Sequence, residues 1–183
     1  MTDAMSFSAF RCRYATVLCM DADLQHEPES VPAVAAPVLA GTAEFSVGSR
    51  HVADGGLGFH WSIMRRALSA GATLLAAPLT SSTDPMSGFF CTTKAVLARS
   101  RCNPIGFKIG LEIMARCRCR HVADVAITFQ ERFAGESKLS MKQSMLYLQQ
   151  LAALYWDAYA LRVVVVAATV MVLLWAILTK AFT

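Results

Sequence analysis

The chain of 183 residues is 55% hydrophobic and 16% charged, with a formal net charge of +4 and a mean hydropathy of +0.44. That length leaves room for one domain, and the modest charge, without a basic run or an aromatic platform, excludes a nucleic-acid binder. The six cysteines lack the spacing of a disulfide framework, and Cys117-Arg118-Cys119-Arg120-His121 alternates too closely, with arginine beside each ligand, for a zinc site.

Residues 1–13 read as the tail of a helix and a turn. Residues 14–20 (YATVLCM) form an apolar run of strand formers stopping at Asp21, the pattern of a strand buried on both faces of a parallel sheet. A helix is expected over 28–39, entered through Glu27-Pro28, because proline fits a first helical turn. Residues 44–47 predict the next strand, closing at Gly48-Ser49-Arg50, and the glycines of 53–58 predict a mobile loop. Residues 60–79 are helical in pattern, with Trp61, Met64, Leu68, Ala72 and Leu75 on one side. A turn-rich break at 81–88 leads to a strand over 89–92, short helices over 94–99 and 109–117, and a strand over 122–129. Strands alternating with helices predict an α/β layer fold.

Over 140–161, Met145, Leu148, Leu151, Ala152, Tyr155 and Tyr159 recur at helical spacing opposite Lys142, Gln143, Gln149, Gln150 and Asp157. An amphipathic helix on a membrane surface and a helix packed on the domain both fit that pattern. Residues 163–178 carry no charge, and counting on to Phe182 gives about 20 residues, enough to cross a hydrocarbon core of about 30 Å. Tyr155, Trp156 and Tyr159 before this run, and Trp175 near its end, are residues that prefer the headgroup zone. The expectation is a C-terminal anchor. Lys138, Lys142 and Arg162 precede it against Lys180 after it, which places the folded part in the cytosol, where the cysteines are free thiols. No basic segment followed by an apolar one marks a cleaved leader at the N-terminus.

The strongest chemical signal is Asp21-Ala22-Asp23-Leu24-Gln25-His26, directly after the first strand. Ligands of open α/β sheets gather at strand carboxyl ends, and two carboxylates plus an amide make an oxygen site suited to Mg²⁺ or Mn²⁺. Two acids in a turn also serve as solvated caps, and both readings stand at this point. Arg50, Arg65, Lys108, Arg132 and Lys138 recur beside turns, several of them glycine- or serine-containing, where guanidinium and close backbone approach suit phosphates. Asp84-Pro85-Met86-Ser87-Gly88-Phe89-Phe90 has the grammar of a tight turn feeding a strand. No Ser-His-Asp or Cys-His arrangement is evident. A phosphate monoester acceptor needs no general base, since its second pKa of about 6 leaves it largely a dianion at neutral pH. A metal site, phosphate clamps and an anchor together point to transfer from a nucleotide to a lipid.

These motifs resemble those of dolichyl-phosphate mannosyltransferases, inverting family 2 glycosyltransferases of the Rossmann-like GT-A fold. The resemblance runs from about Phe10 to Leu148 through Met20–His26, Gly48-Ser49-Arg50, Asp84–Phe90, Gly106-Phe107-Lys108-Ile109 and Gly135-Glu136-Ser137-Lys138-Leu139. It implies metal-dependent transfer of mannose from GDP-mannose to dolichyl phosphate at the endoplasmic reticulum membrane, in service of protein glycosylation and GPI anchors. It further implies that Asp21, Asp23 and Gln25 hold the metal. Arg50, Arg65, Ser69, Lys108 and Arg132 would surround the donor diphosphate and acceptor phosphate, supported by Lys138, with Asp23 and Arg50 catalytic. Residues 53–61 would form a lid, and the helix from His60 would lie beside the membrane and guide the lipid. The implied organisation is a GT-A domain over 1–139, an interfacial helix over 140–161 and an anchor over 162–182.

Family members begin with a strand carrying a P-T-Y-N-E-like motif and a second carrying D-D-G-S-x-D-G-T, and neither occurs here. The expectation is an N-terminally truncated domain lacking the half that holds base and ribose. Two other readings stay open: a glucosyl or other transferase onto a polyprenyl phosphate, and a non-catalytic membrane-anchored remnant.

Overall fold

The computed structural model describes residues 12–58, 62–99, 102, 105, 108–130 and 141–181. Its main sheet has the strand order β1-β4-β2-β5, with β1 Thr16–Cys19, β2 Phe45–Ser49, β4 Phe90–Thr93 and β5 Val122–Ala126. β2 and β5 are parallel, and β4 runs antiparallel to both of its neighbours, β1 and β2. The sheet is therefore mixed, not wholly parallel. β1 is an edge strand of half-buried residues, where its apolar run suggested a strand enclosed on both faces. An apolar run reports burial of side chains but not how many neighbours a strand has. The enclosed strand is β2, buried at all five positions.

Side-chain alternation along β4 and β2 divides the core into two layers. Phe89, Cys91 and Ile127 pack against Val34 and Val38 of α1 (Val31–Leu39), which follows a 3-10 turn at Pro28–Ser30. Phe45, Val47 and Phe90 pack on the other face against Val96 of α3 (Lys94–Leu97) and Ile113 and Met114 of α4 (Ile109–Arg116). The rings of Phe45 and Phe90 stack at 5.0 Å. Each such buried side chain contributes about 1.5–3 kcal/mol through removal from water.

Two further corrections concern short elements. Residues 53–58 contain a strand, β3 (Gly56–Leu57), paired in parallel with β6 (Thr128–Phe129). The expected single strand over 122–129 is broken at buried Ile127 into β5 and β6, so the chain changes sheets there. Glycine content signals turn freedom, but a two-residue pairing depends on a partner more than 70 residues away, which local pattern cannot supply.

α2 (Ile63–Ala76) is capped by Ser62, whose Oγ accepts from the Arg65 N–H, and it ends in a 3-10 turn at Ala77–Leu79. α5 (Met141–Ala181) lies beside it. Leu151 and Leu154 of α5 are buried with Ala76, Met86 and Leu111, so this side of the helix packs on the domain. Tyr147, Tyr155 and Tyr159 donate hydroxyl hydrogen bonds to the carbonyls of Ala72, Leu75 and Pro78 at 2.7, 2.7 and 2.8 Å. Among the described residues no single helix is long and apolar enough to cross a membrane. The segments Met141–Ala160 and Arg162–Met171, bent by 47°, meet that measure only as a pair.

Candidate active site

The turn after β1 carries the acidic motif. Asp23 Oδ1 accepts the Gln25 N–H at 3.3 Å, a local bond of the kind that competes with regular structure. Leu24 between them takes a left-handed φ of 59°, a conformation that costs a non-glycine residue about 1–2 kcal/mol. Gln25 is buried and tied to Gln130: its Nε2 donates to the Gln130 carbonyl at 3.1 Å, and its own carbonyl accepts the Gln130 N–H at 2.8 Å. Because a carbonyl must face Nε2, this bond fixes the orientation of the amide and turns Oε1 the other way. The Asp21 carboxylate lies over Gly88, where an added Cβ would sit 2.5 Å from Oδ2. Glycine at 88 thus makes the cradle in which Asp21 rests.

The second cluster joins Arg50, at the end of β2, to the turn before β4. Arg50 Nε and Nη2 donate to Asp84 Oδ2 and Oδ1 at 2.7 and 2.8 Å, and the Arg50 N–H adds a third bond at 3.2 Å. Asp84 is completely buried. Burial alone would raise its carboxyl, but the Arg50 hydrogen bonds and charge outweigh it and hold the group below its usual value. The turn is braced further by Asp124 of β5, which accepts from Ser82 Oγ and the Thr83 N–H, each at 2.7 Å. The Arg50 guanidinium also lies 5.1 Å from the Phe129 ring centroid, a cation–π approach.

These clusters open on one cavity of about 560 Å³. Asp21, Asp23, Gln25, Arg50 and Lys108 line it together with Arg65 and Ser69, which stand one helical turn apart on α2. Lys108 donates from Nζ to the Met86 carbonyl at 2.6 Å. The far wall is apolar, formed by Met64, Leu68, Ala72 and Leu75 of α2 with Tyr147 and Leu148 of α5. Seven of the nine expected site residues therefore meet in one space. Arg132 and Lys138 lie outside the described residues, as do His60 and Trp61.

Sequence reading missed three contributors. Asp84 belongs to a turn by sequence pattern, whereas in the fold it is the buried partner of Arg50. His26 lines the cavity with its ring 5.2 Å from Phe89 and 5.1 Å from Phe129, and burial holds it below its usual pKa despite Asp21 and Asp23. Gln130, which orients Gln25, sits 105 residues from it. Only contact across the fold reveals such partners.

The donor set fits a hard divalent cation. Asp21 and Asp23 supply carboxylate oxygens and the fixed Gln25 amide an oxygen of its own, with no sulfur or imidazole donor in the motif's first three positions. Among the described residues no group of three or more histidine, cysteine or acidic side chains stands ready as a metal cage. Two carboxylates and an amide leave positions for water and substrate phosphates, as Mg²⁺-type sites do.

The mixed α/β domain thus sets an acidic turn at a strand end opposite Arg50, Arg65 and Lys108 in one cavity. The solved structures agree in fold. Mannosyl-3-phosphoglycerate synthase from Rubrobacter xylanophilus superposes with a TM-score of 0.59 at 18% identity, covering 86% of this chain and 51% of that one. Glucosyl-3-phosphoglycerate synthase from Mycobacterium tuberculosis, in complex with Mn²⁺ and UDP-glucose, gives 0.58 at 22% identity over 85% and 53%. No protein-family model matches the chain. In sequence the chain is similar to dolichol-phosphate mannosyltransferases: it is 43% identical to that of Mycosarcoma maydis over 143 residues, 76% of this chain and 48% of the relative. The corresponding protein of Saccharomyces cerevisiae is 42% identical over 76% and 54%, and that of Pyrococcus furiosus 39% over 79% and 42%. The chain spans about half the length of the curated relatives it matches.

Proposed function

We propose that this chain carries the metal and phosphate half of an enzyme transferring mannose from GDP-mannose to dolichyl phosphate. The observation that carries this reading is the cavity itself, polar and charged at one end and apolar along the walls formed by α2 and α5. Asp21, Asp23 and Gln25 would hold Mg²⁺ or Mn²⁺, which when bound neutralises the diphosphate leaving group. Arg50, Arg65, Ser69 and Lys108 would bind and orient the phosphates, joined by Arg132 and Lys138. The acceptor phosphate, already a dianion near neutral pH, needs alignment and not deprotonation. Arg50 is held rigid by Asp84, so its charge is preorganised at the site and costs no reorganisation during transfer.

The apolar wall suits a polyprenyl chain. Ile63, Met64 and Leu74 of α2 and Met145 and Trp156 of α5 are exposed, a face suited to a membrane surface. The reading places the GT-A part over 1–139, an interfacial helix over 140–161 and an anchor over 162–182. The site would face the cytosol at the endoplasmic reticulum membrane.

The test is transfer in mixed micelles of dolichyl phosphate and detergent with Mn²⁺, offering GDP-mannose and UDP-glucose in parallel. Organic-extractable mannose, formed from GDP-mannose and lost in Asp23→Ala, is the expected result. Preferential use of UDP-glucose would reassign the donor, and transfer retained in Asp23→Ala would reject the metal assignment.

A further inference from the structure

Gln150 of α5 is completely buried, and its Nε2 donates to two acceptors at 3.1 Å: the backbone carbonyl of Lys108 and Oε2 of Glu112. Lys108 caps α4, and the same carbonyl accepts the Glu112 N–H at 3.3 Å. Glu112, 1% exposed, pairs through its other oxygen with Arg116, which also reaches Asp157 farther along α5. From this anchored backbone the Lys108 side chain extends into the cavity wall, where its ammonium meets the Met86 carbonyl.

We propose that Gln150 is a positioning residue: by holding the Lys108 backbone and Glu112 at once, it delivers the Lys108 ammonium to the cavity only while α5 is docked. Packing gives no reason for an amide here. Its Oε1 has no hydrogen-bond partner among the described residues, so the amide is kept for what its Nε2 donates to, at the cost of one unpaired oxygen. What an apolar replacement cannot do is donate to Lys108. The link makes one end of the site dependent on the helix that also forms the apolar wall. A chain whose α5 is displaced would lose a phosphate-facing cation as well as half the groove. The value of that cation for phosphate binding rests on the function proposed above, whereas the tie itself rests on the geometry alone.

Lysine acetylation read by mass spectrometry tests the tie, with Lys94, held on the Cys12 carbonyl, as the internal control. In Gln150→Met the acetylation rate of Lys108 should rise several-fold, with that of Lys94 unchanged. Gln150→Asn, which keeps an amide too short to reach Lys108, should behave the same way and stands in if the first variant does not fold. An unchanged Lys108 rate overturns the proposal. So does a rise shared equally with Lys94, the outcome of a purely structural role. Adding GDP with Mn²⁺ to the wild-type chain separates the two claims. Protection of Lys108 supports the phosphate reading, and no protection removes that reading while the variants still decide on Gln150.

Discussion

The two ends of the cavity are built by different means. At the polar end four of the site side chains rest on specific groups: Arg50 on Asp84, Gln25 on Gln130, Asp21 against Gly88, Lys108 on Met86. Most of these partners are distant in sequence, and several of the groups are buried. At the apolar end, Met64, Leu68, Ala72 and Leu75 share one helical face, and their side chains have no polar group to satisfy. A charge taken from water must be met by a specific group at a specific distance, while apolar area is stabilised by almost any neighbour. The polar end should therefore fail sharply when one member is removed, and the apolar end gradually.

The largest effect is expected at the Arg50–Asp84 pair. Asp84→Ala leaves a guanidinium that is only 10% exposed without its carboxylate, and should cost about 3–5 kcal/mol, read by denaturant or thermal unfolding. The same pair gives a pH signature. Asp84 has a lower pKa in the folded chain than its usual 3.8, so its contribution is fully present above that value and is lost as pH falls through the depressed folded value. Glu44, held at about 2 by Arg99 and the Arg120 N–H, acts with the same sign between about pH 4.5 and 2. The difference between wild-type and Asp84→Asn stability profiles isolates the first term, and it should shrink on acidification.

Leu154→Ala, at a 1% exposed position where α5 meets the domain, should cost about 2–5 kcal/mol and leave the Arg50–Asp84 pair intact. Gly88→Ala should leave the melting temperature nearly unchanged, because the atom it meets is the end of a side chain that can swing aside. Moving the Asp21 carboxylate should nevertheless weaken Mn²⁺ binding on the order of tenfold, measured by titration calorimetry. Tyr155→Phe, which deletes one exposed hydrogen bond to Leu75, should cost only about 0.5–1 kcal/mol. If Tyr155→Phe matched Asp84→Ala, the contrast between the two ends would be wrong.

The same contrast explains what could be read from the chain before its fold was known. The face of α2 was legible because helical spacing is a local property, and Asp21-Ala22-Asp23 was legible because acids after an apolar strand sit where α/β sheets bind ligands. The antiparallel placement of β4 between β1 and β2 was not, since strand order depends on pairings across the fold. Asp84 was read as part of a turn because its neighbours Pro85 and Gly88 are turn formers, and nothing local points to Arg50, 34 residues away. Gln150 looked like one polar residue on the solvent face of an amphipathic helix, yet it is buried on Lys108 and Glu112. Periodicity assigns residues to faces, and it misassigns a polar residue whose partner lies in another element.

The most direct measurement is calorimetric titration of GDP into the chain with and without Mn²⁺, repeated in Asp23→Ala. Binding that requires Mn²⁺ and disappears in Asp23→Ala is the predicted result, because the carboxylates and the cations of one cavity would then grip a single diphosphate. GDP binding that is indifferent to Mn²⁺ and to Asp23, or no binding at all, would contradict it.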